Sequence, residues 1–158
     1  MQKTLKAPVH FNGVGLHSGA AANLVVRPAK AHHGIVFRRT DIHVGAASIA
    51  AQWDNVDRTP LCTLLVNANG VSVSTVEHLM AALAGCGIHN ALIDIDGPEV
   101  PILDGSSAPF VRAFLECGLR VQDAPIRAIE ILRPVQVQNG EAVARLVPSP
   151  VMEIAFEI

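Results

Sequence analysis

Charge is scarce in this sequence: 16% of its 158 residues are Asp, Glu, Lys or Arg, and the formal net charge is -2. A nucleic-acid partner calls for Lys and Arg massed on one face to neutralise phosphates. The largest basic feature, Arg38-Arg39, is too short for that, so no nucleic-acid partner is expected. Long apolar runs are missing as well. None approaches the roughly 18–20 residues of a membrane-spanning helix, so no membrane span is expected. The start, Met1-Gln2-Lys3-Thr4-Leu5-Lys6, leads into no apolar signal core, which makes a cytoplasmic location the expectation. Cysteine is limited to Cys62, Cys86 and Cys117, with no Cys-x-x-Cys pair. That spacing excludes a disulfide framework and a thiolate zinc site.

What is present is apolar. Half of the residues are hydrophobic, far from the composition that keeps a chain disordered. The length suits one ordinary domain or two small ones.

Short alternating segments dominate the first seventy residues. Leu24-Val25-Val26 and Ile35-Val36-Phe37, bounded by Gly, Pro, Asn and Asp, predict antiparallel strands. Thr63 to Val66 and Val71 to Val73 flank Asn67-Ala68-Asn69-Gly70, which predicts a hairpin. From Ser74 the pattern changes. Val76, Leu79, Met80, Leu83 and Ala84 recur at the spacing of one helical face. Ser74 and Glu77 have the form of a capping box, and Gly85 and Gly87 offer a helix stop. A strand follows from Asn90 to Asp96, then a helix from about Ala108 to Cys117, with Ser107 as cap, Pro109 in its first turn and Gly118 as its end.

Gln122-Asp123-Ala124-Pro125 reads as a linker before renewed alternation at Ile129, Ile131, Val135 and Val137. Asn139-Gly140 predicts a hairpin turn. Met152, Ile154, Phe156 and Ile158 then alternate with Glu153 and Glu157 as in a strand. A strand with one apolar face expects a neighbour, so Ile158 is read as a truncation point, with a short terminal edge strand as the alternative.

Glu77 and His78 are adjacent in the first predicted helical turn. At about 100° per residue, His78 lies away from the apolar stripe, beside the small residues Ala81, Ala82 and Gly85. Such a histidine suits a zinc ligand, and the neighbouring carboxylate suits a base that takes a proton from metal-bound water. A capping-box acid and a surface histidine explain the same two residues without any chemistry. No His-Glu-x-x-His or His-x-x-x-Asp pattern occurs. The pair His32-His33 is open between a ligand pair and a solvated loop.

Several stretches, in order, are found together in one enzyme family. They are Gly13-Val14-Gly15-Leu16-His17-Ser18-Gly19, Gly34-Ile35-Val36-Phe37-Arg38-Arg39-Thr40-Asp41, Leu61-Cys62-Thr63, Ser74-Thr75-Val76-Glu77-His78-Leu79-Met80-Ala81-Ala82-Leu83, Asp96-Gly97-Pro98-Glu99-Val100-Pro101-Ile102-Leu103-Asp104-Gly105-Ser106, and Ala108-Pro109-Phe110. With these the chain resembles the UDP-3-O-acyl-N-acetylglucosamine deacetylases, zinc-dependent amide hydrolases of lipid A biosynthesis in Gram-negative bacteria.

The resemblance implies an α+β fold with helices packed on one face of a sheet. Residues 1–121 would be the first domain of a two-domain β-α-α-β sandwich, 122–125 a linker, and 126–158 the opening strands of a truncated second, similar domain. It implies that His78 is a Zn2+ ligand and that Glu77 is the general base. It also implies that Leu61 and Cys62 line the site mouth, that His17 lies near it, and that the substrate is a UDP-linked acylated glucosamine. Asp104 is expected to be a turn residue. The family's other zinc ligands, from a His-Lys-x-x-Asp motif, its oxyanion-side threonine and a later catalytic histidine have no counterpart here. The chain alone is therefore expected to be inactive, its partner being the missing C-terminal half. The alternative is a non-catalytic nucleotide-sugar or partner-binding fragment.

Overall fold

The computed structural model describes residues 1–43 and 46–157. The chain divides into two compact units, Met1–Pro125 and Ile126–Ile158.

The first unit is built on a mixed five-stranded sheet. Its strands are β2 (Val9–Val14), β3 (Ala21–Pro28), β4 (Ile35–Arg39), β5 (Ser48–Ala50) and β9 (Ala91–Ile95), in the order β2-β3-β9-β4-β5. β9 runs antiparallel to β3 and parallel to β4, so the last strand in sequence fills the centre. Register then separates two faces. Leu24 pairs Ile95, Val26 pairs Ile93, and Phe37 also pairs Ile93, and all five side chains are fully buried. The intervening positions carry Arg27, Arg38 and Asp94 on the opposite face, where both guanidinium groups reach Asp94 at 2.7 Å. Strand alternation therefore puts the core on one side and an ion-paired network on the other.

Two helices cover the apolar face. α1 (Glu77–Gly85) contributes Leu79, Ala82 and Leu83 to the core, and α2 (Ala108–Cys117) contributes Phe110 and Phe114. Phe11 of β2 meets the Phe110 ring at 4.8 Å between centroids and stands edge-on to Phe114 at 6.0 Å. These are favoured aromatic geometries, and they fix α2 against the sheet. The α+β class with helices on a sheet face is thus the observed one. Gly118, at φ 80, ends α2, as its sequence position predicts.

A second sheet of three short strands, β6 (Val56–Asp57), β7 (Leu64–Val66) and β8 (Ser72–Ser74), precedes α1. Its β7–β8 hairpin turns where Asn67 and Gly70 predict. The Asn67 side chain accepts the amides of Asn69 and Val71, and Gly70 lies at φ 74. Finally, β1 (Lys3–Leu5) pairs β10 (Leu119–Val121), which the sequence pattern did not announce. Residues 122–124 stay fastened to β1: Gln122 donates its amide to Gln2 O at 2.9 Å, and Gln2 donates its own to Ala124 O at 2.8 Å.

Three local expectations need correction. Ser74 does not cap α1. It is the last residue of β8, its hydroxyl donates to Pro98 O, and the helix starts after Val76 with no side-chain cap. Glu77 is thus the first helical residue instead of the third, so the capping-box geometry does not form. Ala82, placed beside His78 by the helical period, is fully buried, whereas Ala84 is exposed. α1 presents Ala82 to the core because its stripe is centred between Leu79 and Leu83. His32 and His33 are engaged separately, with Gln2 Nε2 approaching His32 Nδ1 at 3.0 Å and His33 Nδ1 lying 3.1 Å from Gly34 O.

In the second unit, β11 (Val135–Asn139) and β12 (Ala142–Leu146) form a hairpin. Asn139 pairs Ala142, so the turn itself is Gly140-Glu141, with Gly140 at φ 61. Ile129, Ile131 and residues 152–157 belong to no strand. Alternation alone does not make a strand without a hydrogen-bonded neighbour, and these segments pair with none among the described residues. The reading of Ile158 falls outside the described residues.

Candidate active site

The site gathers around the start of α1, where β8 hands the chain to the helix through one unusual residue. Thr75 lies at φ 58, in the left-handed region that β-branched residues rarely occupy. Such strain persists only where surrounding contacts over-determine it. Here the Thr75 hydroxyl, itself buried, donates to Glu99 Oε1 at 2.9 Å.

Glu99 is the pivot of this corner. It is 3% exposed, and its Oε1 also accepts the His17 amide while Oε2 accepts the Ser18 amide, both at 2.9 Å. Burial pushes the Glu99 carboxyl up. Hydrogen bonds from the Ser18 hydroxyl, the His17 and Ser18 amides and the Thr75 hydroxyl outweigh that effect and hold it at about 2. Gly15 makes the close approach feasible, because a Cβ there would collide with Glu99 Oε2 and the Ser18 hydroxyl. His17 is exposed, and its link to the helix start runs through its backbone and Glu99.

Glu77 and His78 follow in the first turn of α1, both half-buried. Glu77 is the first helical residue, at the positive end of the helix dipole. Its Oε2 accepts the Thr63 amide at 3.0 Å, which brings the 61–63 segment beside it. There Leu61 is 75% exposed, and Cys62 is half-buried with its sulfur 3.7 Å from the Thr59 hydroxyl. The His78 carbonyl accepts the Ser107 hydroxyl at 2.9 Å, tying α1 to the start of α2.

The His78 ring carries the decisive anomaly. Its Nδ1 is a buried polar side-chain atom with no hydrogen-bond partner among the described residues. Leaving such an atom unpaired costs about 1–3 kcal/mol. A native protein rarely tolerates that unless something outside the described groups completes the pairing. His78 therefore fits a metal as one donor. A full set does not form here, since no three His, Cys, Asp or Glu side chains among the described residues are grouped to hold a metal ion.

Residues 2–158 match the family model described as LpxC: UDP-3-O-acyl N-acetylglycosamine deacetylase. This chain belongs to that family.

The chain is 52% identical to the UDP-3-O-acyl-N-acetylglucosamine deacetylase of Phenylobacterium zucineum, over 99% of its own length and 54% of that protein's. Its identity to the enzymes of the same name from Vibrio cholerae and Photobacterium profundum is 48% and 46%, again over 99% of this chain and 51% of each relative. The chain thus spans about half the length of the curated relatives it matches. No helix among the described residues is long and apolar enough to cross a membrane.

Structure and sequence thus bring Glu77, His78 and the Leu61-Cys62-Thr63 segment together, and reach His17 by way of Glu99. The sequence reading gave no role to Glu99, Thr75 or Gly15. A lone carboxylate set in Pro98-Glu99-Val100-Pro101-Ile102 was the available signal, because an acid in an apolar run is kept only when its charge is answered.

Proposed function

We propose that this chain carries the Glu77–His78 part of a zinc-dependent deacetylase site that hydrolyses the N-acetyl group of UDP-3-O-acyl-N-acetylglucosamine, giving acetate and the free amine in lipid A biosynthesis. The observation that carries the reading is the buried, unpartnered Nδ1 of His78 next to a carboxylate held in place by a backbone amide. His78 would hold the metal from this side, and the remaining ligands would come from the half of the relatives' length that this chain does not span.

When bound, zinc supplies a Lewis acid that polarises the acetamide carbonyl and acidifies water. Glu77 takes the proton of the attacking water, its Oε2 anchored by Thr63 so that the carboxylate does not swing away. The exposed Leu61 side chain and the half-buried Cys62, on the segment that Thr63 ties to Glu77, would line the site mouth. His17, exposed on the turn whose amide bonds Glu99, would meet substrate from that turn. Donation of a proton to the departing amine is assigned to the other half.

Zinc retention tests this. After dialysis the chain alone is expected to hold far less than one zinc, because a single imidazole does not make a closed site. Mixed with a polypeptide covering the relatives' second half, it should retain zinc and release acetate, and H78A should abolish both. Zinc retention unaffected by H78A would contradict the assignment.

A further inference from the structure

We propose that Glu99 is a positioning residue for the Glu77–His78 pair: its carboxylate clamps the 15–18 turn to Thr75 and so sets the point and direction at which α1 begins. The inference rests on the deacetylase reading for its catalytic consequence, while its structural half stands on the geometry of this chain.

Three observations converge on it. First, the 98–100 segment is fastened to the strand end as well as to Thr75. Ser74 donates its amide to Pro98 O at 2.8 Å, Val100 donates to Ser74 O at 3.1 Å, and Ser74 and Glu99 form a parallel bridge. Second, the Thr75 backbone lies at φ 58 while its hydroxyl bonds Glu99, and Glu77 and His78 are two and three residues further on. A change of φ at Thr75 would redirect the helix axis and carry both side chains with it. Third, Gly15 has no side chain where a Cβ would displace the Glu99 carboxylate. All the donors to Glu99 require an acceptor, so a carboxylate meets them and an amide does not.

The test has two readouts. In the 158-residue chain, E99Q is expected to shift the NMR amide signals of Glu77 and His78 along with those of His17 and Ser18. Unmoved Glu77 and His78 signals would overturn the inference whatever the protein's activity.

In the chain completed to the relatives' length, E99Q should lower kcat by about ten- to a hundredfold, as small misplacements of catalytic groups do, with KM changed less than about twofold. D94N, at an equally buried carboxylate on the far face of the sheet, should leave kcat unchanged. Equal losses in E99Q and D94N, or an E99Q enzyme with normal kcat, would overturn the inference. Normal turnover in E77Q would instead sink the reading of the pair, and the catalytic consequence with it. If E99Q does not fold, T75S and T75A decide: T75S should keep kcat and T75A lose it, and equal rates would overturn the inference.

Discussion

The Thr63 amide donates to Oε2 of Glu77 at 3.0 Å, so the side chain that the sequence pairs with Ser74 is engaged by a different segment altogether. Replacing Glu77 by Ala leaves a half-buried amide unanswered and is expected to cost about 1–2 kcal/mol. E77Q keeps an acceptor and should cost less. S74A should cost under about 0.5 kcal/mol, below the typical loss of a helix cap, because Ser74 caps nothing. Urea unfolding of the three variants checks the ranking; a larger loss for S74A than for E77A would restore the capping box.

Among the described glycines, Gly15 is the one whose added Cβ meets the closest neighbours. In G15A the new methyl group meets Glu99 Oε2 and the Ser18 hydroxyl, so the carboxylate must move and lose donors. A loss of about 2–4 kcal/mol is expected, in the range of overpacking combined with a broken buried network. Thermal unfolding against G19A, where a Cβ meets nothing but φ is 63, separates the collision from simple backbone strain.

Acid stability should depend on Glu99. Its folded value of about 2 lies below its ordinary 4.5, so it contributes stability that is complete above about pH 4.5 and is lost as pH falls toward 2. A shift of this size corresponds to on the order of 3 kcal/mol. Asp94 adds to the same trend: burial raises its carboxyl, but the hydrogen bonds and charges of Arg38 and Arg27 outweigh that and lower it. Unfolding free energy measured from pH 6 to pH 3 should fall steeply in the native chain and less steeply in E99Q. Parallel curves would show that the Glu99 carboxylate is not depressed.

Much of this architecture was legible because it is local. The period of Val76, Leu79 and Leu83 marks α1, Pro109 and Gly118 bracket α2, and Asn67 with Gly70 makes the β7–β8 turn. What was not legible depends on partners distant in sequence. The insertion of β9 between β3 and β4 and the pairing of β1 with β10 leave no periodic trace. The strand-like run from Met152 to Glu157 forms no strand for the same reason, since no neighbour among the described residues pairs with it. At the site, the helical period offered Glu77 and His78 only as candidates, and the family motifs supplied their proposed roles together with those of Leu61, Cys62 and His17. The clamp through Glu99 was hidden because Gly15, Thr75 and Glu99 meet only in three dimensions, and because a left-handed threonine is contrary to its own propensity.

Glu77 is proposed as the base of a deacetylase site completed outside this chain. Acetate release from UDP-3-O-acyl-N-acetylglucosamine by the protein completed to the relatives' length, compared with its E77Q variant at equal zinc content, tests it most directly. The account predicts that E77Q folds, holds zinc and turns over at least about a hundredfold more slowly, as loss of a general base entails. An E77Q enzyme that releases acetate at the native rate would contradict it.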